Sequence, residues 1–446
     1  MQLVRTLRLR DLVLLIIGTV IGSGIFLVPG GVLRSVQGRP ALAMAAWVAG
    51  GIISLMGALT YGELTAMEPN AGGLYSYIRT AFGRFPAFLF GWAMFLVIAS
   101  GAIATLAAAF PRYLSRIVPL TPLEAKLVSI AMIAVVAFIN VRGARTSADV
   151  QNWATGVKVA AILGMTIVLL SLGRGHAAST QAPVEFFSGP LASGFLLAMV
   201  SVLWAYEGWQ YSTFSAGETA NPQRDFPRAY LLASLALIFI YVLANLGYLA
   251  ALGSAGAARS TSVASEAIGG VLGAGAGRII ALAILVSIFS AANGTTLSAT
   301  RVFYAMAQDG VFFRKLAEVH PRYRTPAVAI IAGLAWAMLL VATGTFEQLL
   351  TYVVFTGWAF YALGAAAVFV YRRKFPDRER PYRVPGYPVT PLLFIIPSLA
   401  IVINTIFAAP KQAAVGIVIV LAGAPAYFIW RRNARAKSAT QNVASD

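Results

Sequence analysis

Apolar residues run along this chain in long blocks separated by short polar segments, near 12–33, 40–66, 87–110, 124–141, 152–172, 192–216, 229–252, 278–304, 326–343, 348–371, 389–408 and 413–430. Each block is about as long as the ~20 residues a helix needs to cross a bilayer. The pattern predicts an all-α polytopic membrane protein of about twelve spans. No short apolar core followed by a small-residue cleavage site precedes them, so the first span is expected to be retained.

Two spans contain interruptions. The first carries Gly22-Ser23-Gly24, and the sixth carries Trp204-Ala205-Tyr206-Glu207-Gly208-Trp209. Glycine weakens a helix, and backbone groups freed at membrane depth are tolerated only where protein or a polar cavity satisfies them. The breaks lie five spans apart, which points to an inverted repeat with a binding site between its halves. The expected units are residues 1–175 (spans 1–5), 190–375 (spans 6–10), 386–432 (spans 11–12) and a disordered cytoplasmic tail, 433–446, within one transmembrane domain. Close helix packing by small residues is the competing explanation of each glycine.

Loop chemistry fits this plan. Pro69-Asn70 and Gly72-Gly73 are turn signals before a short interfacial helix. The small-residue segment 260–275 reads as an external lid or a loop, and 309–318 as a short cytoplasmic helix.

Composition strengthens the membrane assignment: 59% of the 446 residues are hydrophobic and 11% charged, with a mean hydropathy of +0.77. The net charge of +18 would suit nucleic acid if it were clustered on a soluble face. Instead, with a cytoplasmic N-terminus, about 23 Lys and Arg fall in cytoplasmic segments and about 9 in outer loops. The excess is topological, so nucleic acid is not an expected partner and the bilayer is. The absence of cysteine excludes disulfides and thiol chemistry. His176 and His320 both fall in loops, so no metal site and no cofactor are expected within the membrane.

The breaks suggest what the cavity holds. A half-helix beginning at Gly22, Ser23 and Gly24 points its free amides and positive dipole end inward, which suits a carboxylate; the Ser23 hydroxyl adds a donor. Carbonyls freed at Val20, Ile21, Leu203, Trp204 and Ala205 would accept from an ammonium group. Carboxylate and ammonium together describe an α-amino acid, whose side chain would meet Trp204, Tyr211 and Trp358. Lys158, deep in the fifth span, is a functional candidate by its burial alone. It could hold the unwound first span against polar groups of the eighth such as Ser290 or Asn293, in the place of a sodium ion, or change protonation during transport; a lysine that snorkels or caps a carbonyl is the competing explanation. Glu207 could pair with a substrate ammonium, with Lys158 or with a proton, and Arg301 reads as a helix-end charge. Trp47, Trp92 and Trp153 read as packing or interfacial aromatics.

These motifs, with Glu218-Thr219-Ala220-Asn221-Pro222-Gln223-Arg224-Asp225-Phe226-Pro227-Arg228-Ala229, Tyr61-Gly62-Glu63-Leu64 and Arg380-Pro381-Tyr382-Arg383-Val384-Pro385, resemble the amino acid-polyamine-organocation superfamily. The L-type amino acid transporters and their prokaryotic relatives are the most similar branch. The resemblance covers nearly the whole chain. It implies a leucine-transporter-type fold with a five-plus-five inverted repeat and two peripheral helices, amino acid substrates, and transport rather than catalysis. It also implies that Gly22, Ser23 and Gly24 take the substrate carboxylate, that Trp204 covers the substrate from outside, and that Lys158 replaces a sodium site. Two departures stand out. Trp204 occupies a position often held by Phe, which favours small or mid-sized neutral side chains, and Glu207 occupies one where animal members tend to have Gly. Without cysteine, no disulfide-linked accessory subunit is expected. The sequence therefore reads as a sodium-independent amino acid exchanger of the cell (inner) membrane with both termini cytoplasmic. Proton-coupled symport, or transport of cationic amino acids or polyamines, is the alternative.

Overall fold

The computed structural model describes residues 5, 7–70, 72–173 and 184–443, excluding the side chains of 144 and 431–443; His176 lies outside the described residues. Among the described residues eleven helices are long and apolar enough to cross a membrane, and a shorter one of 17 residues, Ala327–Thr343, joins them. The first span, Leu9–Leu27, is broken between Leu9–Val20 and Gly24–Leu27. Pro40–Met67, Arg84–Leu114, Pro122–Arg142 and Ala144–Leu172 are the second to fifth. The sixth is Leu191–Ala205 followed by a 3-10 segment, Trp209–Glu218. Pro222–Arg259, Ala274–Gln308, Ala327–Thr343, Phe346–Lys374, Val389–Ala408 and Pro410–Val443 are the seventh to twelfth. This is an all-α polytopic membrane protein of about twelve helices. The last helix continues to Val443, into the segment expected to be an unstructured tail.

Local chemistry sets several helix starts. Thr121 caps the fourth span by accepting from the Glu124 amide while the Glu124 carboxylate accepts from the Thr121 amide, and Pro122 fills the first helical position. Thr345 and Gln348 repeat the device on the tenth. The first, third and tenth spans are mostly interior, at 72%, 78% and 67% buried, whereas the fourth and twelfth are 22% buried and face the lipid. Exposed Phe138, Ile167, Phe239 and Phe407 mark that outer surface.

Twelve crossings return the chain to its starting side, so both ends share one face, here called the terminal face. Helix Gly73–Phe82 lies there, and it is not the surface-lying helix expected: most of it, from Gly73 to Ile78, is buried. A Cβ on Gly364 of the tenth span would lie 2.2 Å from the Leu74 side chain, which shows how closely the helix packs there. The 309–318 segment contains only a short 3-10 turn, Arg314–Ala317. On the opposite face, 260–275 forms helix Val263–Leu272, held by the Glu266–Arg116 ion pair at 2.8 Å.

Glu63, fully buried near the end of the second span, anchors the terminal face. Its carboxylate accepts from Arg372 Nε at 2.9 Å and Nη2 at 2.7 Å, and from the Val384 amide at 2.7 Å. One side chain thereby joins the second span, the tenth span and the loop after it. Breaking a buried pair by removing one charge costs about 3–5 kcal/mol, and Arg372 is partly exposed, so Glu63→Gln is expected near the lower figure. A melting temperature in detergent several degrees below that of the unmodified protein is the expected result.

Candidate functional site

The helix of the first span ends at Val20, leaving its last carbonyls without intrahelical partners. Lys158 Nζ donates to Gly18 O and Ile21 O, both at 2.7 Å, and to Ser287 O at 3.2 Å. The Ser287 hydroxyl lies 3.1 Å from Ile21 O and 3.3 Å from Gly22 O and donates its one proton to one of them at a time. An ammonium offers three donors, and all three are used, with Lys158 only 1% exposed. The lysine thus reaches the unwound first span, but its eighth-span partner is Ser287, not Ser290 or Asn293. The eighth span runs antiparallel to the fifth, so its later residues meet earlier ones: Ser290 donates to Gln151 at 3.1 Å, and Asn293 pairs with Ser147 and with Asn140 of the fourth span.

Tyr241 of the seventh span joins the two breaks. Its hydroxyl lies 2.9 Å from Ala205 O and 3.2 Å from Val20 O. With one proton it donates to one of them at a time. The sequence reading missed this residue because tyrosine carries no periodic signal when buried inside an apolar span.

The breaks meet through glycine. A Cβ on Gly24 would lie 2.6 Å from Ala205 Cα, and Gly208, at φ +133°, sits against the Thr19 backbone. No hydrogen-bond acceptor is found among the described residues for the amides of Gly22 and Ser23, and the buried Ser23 hydroxyl is also unpartnered. These groups line a cavity of about 20 Å³ with Thr19, Val20, Ala102, Leu106, Trp204, Glu207, Tyr211 and Thr295. That volume admits little more than one water molecule, so the walls are drawn close together in this conformation. Thr19, Ala102, Leu106 and Thr295 were not singled out from sequence; threonine, alanine and leucine in a span show no preference for a cavity until the helices are packed.

Several expected groups are already engaged. Trp204 O accepts from the Glu207 amide at 3.2 Å, and Ala205 O accepts from Tyr241. Leu203 is fully buried outside the cavity lining. Trp358 is outside it as well: its ring packs on Tyr361 and Phe394, because the tenth span presents Tyr361 rather than Trp358 to the sixth. Among the described residues Glu207 meets neither Lys158 nor another cation. Its Oε1 accepts from Tyr361 at 2.9 Å and from Tyr211 and Gln210 at 3.4 Å. Its Oε2 is buried without a partner.

The two sides of the cavity differ. Toward the terminal face, buried Arg301 pairs with Glu218 at 3.2 Å, and the Leu7 amide donates to Glu218 O at 3.0 Å, tying the start of the first span to the end of the sixth. Arg79 pairs with Asp309 at 2.5 Å, and Tyr75 donates to the same carboxylate at 2.8 Å. Burial and the Asp309 carboxylate push the Tyr75 hydroxyl well above its usual range, keeping it a donor. Toward the opposite face, a vestibule of about 400 Å³ opens between Val28, Arg34, Arg112, Val200 and Glu347.

A sequence profile of the amino acid permease family matches residues 7–429. The chain belongs to this family. The permease is 32% identical to the serine/threonine exchanger SteT of Bacillus subtilis over 420 residues, 93% of this chain and 94% of that protein. It is 32% identical to the cystine/glutamate transporter of Homo sapiens, across 97% of this chain and 87% of the relative. It is 30% identical to the large neutral amino acids transporter small subunit 2 of Mus musculus, across 93% and 79%. The permease is accordingly a multi-pass membrane protein of amino acid transport, not an enzyme. It contains no cysteine, so it cannot be disulfide-linked to an accessory subunit.

Proposed function

We propose that the permease exchanges small or mid-sized neutral L-amino acids across the cell membrane without sodium, by alternating access. The observation that carries this reading is the facing pair of breaks. Unpartnered Gly22 and Ser23 amides and the Ser23 hydroxyl suit a carboxylate, and Val20 O, with a lone pair to spare beside Tyr241, suits an ammonium group. Lys158 supports sodium independence, since its fixed ammonium fills the space between the first and eighth spans where a cation would bind. Residues 1–175 and 190–375 would form the two inverted repeats, with 386–432 peripheral. The terminal face would be cytoplasmic, following its arginines. The ion pairs there would hold the inner side shut while the vestibule admits substrate from outside.

The narrow cavity between Trp204 and Tyr211 favours small side chains, and the unpaired Glu207 Oε2 favours one that donates a hydrogen bond. Serine and threonine meet both conditions, in keeping with the name of the Bacillus subtilis relative. The same free oxygen favours a second reading, in which Glu207 carries a coupled proton or receives a cationic side chain. Competition in proteoliposomes separates these. Serine, threonine and alanine are expected to inhibit uptake of labelled serine more strongly than lysine, arginine or putrescine at equal concentration. Stronger inhibition by the cations, or uptake that requires an imposed proton gradient, would replace the first reading with the second.

A further inference from the structure

A second cavity lies away from the substrate site, on the lipid-facing side of the tenth span. It measures about 490 Å³ and sits between the tenth, eleventh and twelfth spans, walled by Phe360, Leu363, Ile395, Leu399, Val420 and Leu421. Its walls are continuous with the bilayer surface: Leu399 and Leu421 are exposed there, as are neighbouring Ile396 and Val418. The lining is hydrocarbon apart from the Thr356 hydroxyl, so an aqueous ligand has nothing to bind.

The sequence of the tenth span extends this groove to a charge. Ala359, Leu363, Ala366, Val370 and Arg373 follow one another at steps of four and three, a single helical stripe. Arg373 lies seven residues past Ala366, about 10 Å further along the axis, on the terminal face. Its neighbours are committed: Arg372 to Glu63, and Lys374 to Ala81 O at 2.8 Å. Arg373 is exposed and has no side-chain partner among the described residues. An apolar groove with a free guanidinium at its mouth, at interface depth, complements an anionic amphiphile.

We propose that this groove is a binding site for an anionic phospholipid, with an acyl chain between the tenth, eleventh and twelfth spans and the phosphate on Arg373. The opposite face of the same helical turns carries Tyr361, which donates to Glu207 beside the substrate cavity. A chain seated in the groove therefore supports the part of the tenth span that contacts the substrate site.

Native mass spectrometry of the delipidated full-length protein, titrated with dioleoyl phosphatidylglycerol or dioleoyl phosphatidylcholine, tests the site without reference to transport. One phosphatidylglycerol is expected to survive activation that strips phosphatidylcholine, with at least a fivefold larger retained fraction. Arg373→Ala is expected to reduce that fraction to the phosphatidylcholine level, and Ala359→Trp, which fills the groove, to abolish retention of both. Ala366→Leu serves as the smaller filling if Ala359→Trp elutes aggregated. As a second readout, phosphatidylglycerol should raise the melting temperature of the unmodified protein but not of Arg373→Ala. Equal retention of the two lipids, or undiminished retention in both variants, would overturn the proposal. So would a dimer lost on filling the groove, which would assign it to a second copy of the chain.

Discussion

Lys158→Ala is expected to lower amino acid exchange at least tenfold while leaving a protein that inserts and elutes as a single species. Among the described residues the lysine is the one side-chain donor to Gly18 O and one of two to Ile21 O. Losing it leaves buried Gly18 O without that donor, at about 1–3 kcal/mol for a buried group left unsatisfied. The first span can relieve that cost by rewinding through Gly22, and rewinding would withdraw the amides proposed to bind the carboxylate. A tenfold loss of rate corresponds to only about 1.4 kcal/mol, so one stranded carbonyl is sufficient. The effect should fall on turnover and apparent affinity together. Exchange at the unmodified rate in the alanine variant would remove Lys158 from the account.

Gly24→Val should be more severe. The added Cβ would lie 2.6 Å from Ala205 Cα and 2.7 Å from Ala205 Cβ, and a backbone neighbour cannot swing aside as a flexible side chain does. The two breaks must part, an overpacking strain of about 1–3 kcal/mol that falls on the contact forming the site. Exchange is expected to drop below detection, with a lower melting temperature. Gly31→Ala provides the control: the new methyl would meet only the end of Arg34 at 3.7 Å, and both properties should be unchanged. If the two variants behave alike, close approach of the first and sixth spans is not what the glycine serves.

The features legible in the sequence are those with a strong local cause. Long apolar blocks locate the helices because the bilayer requires them, and Gly22 and Gly208 show where two of those helices fail. Lys158 stood out because a charge at that depth is costly. Partner choice across helices was harder to read. Ser287, Ser290 and Asn293 all lie on the eighth span, and which of them meets Lys158 depends on a register between packed helices that leaves no trace in either sequence. Tyr241 and Tyr361 were invisible for a related reason: an aromatic hydroxyl is compatible with lipid, core or cavity until the rotation of its helix is known. Trp358 erred the other way, its size suggesting a pocket wall where the tenth span turns it toward Phe394. Burial of Gly73–Phe82 likewise depends on the tenth span, nearly three hundred residues away in sequence.

Two broken helices are proposed to form a site for neutral amino acids that operates by exchange without sodium. Purified protein in sodium-free liposomes, assayed for uptake of labelled serine with and without unlabelled serine inside, tests it directly. Uptake several-fold faster into loaded vesicles, unchanged when sodium is added, is the predicted result. Equal uptake into loaded and empty vesicles, or uptake only when sodium is present, would contradict it.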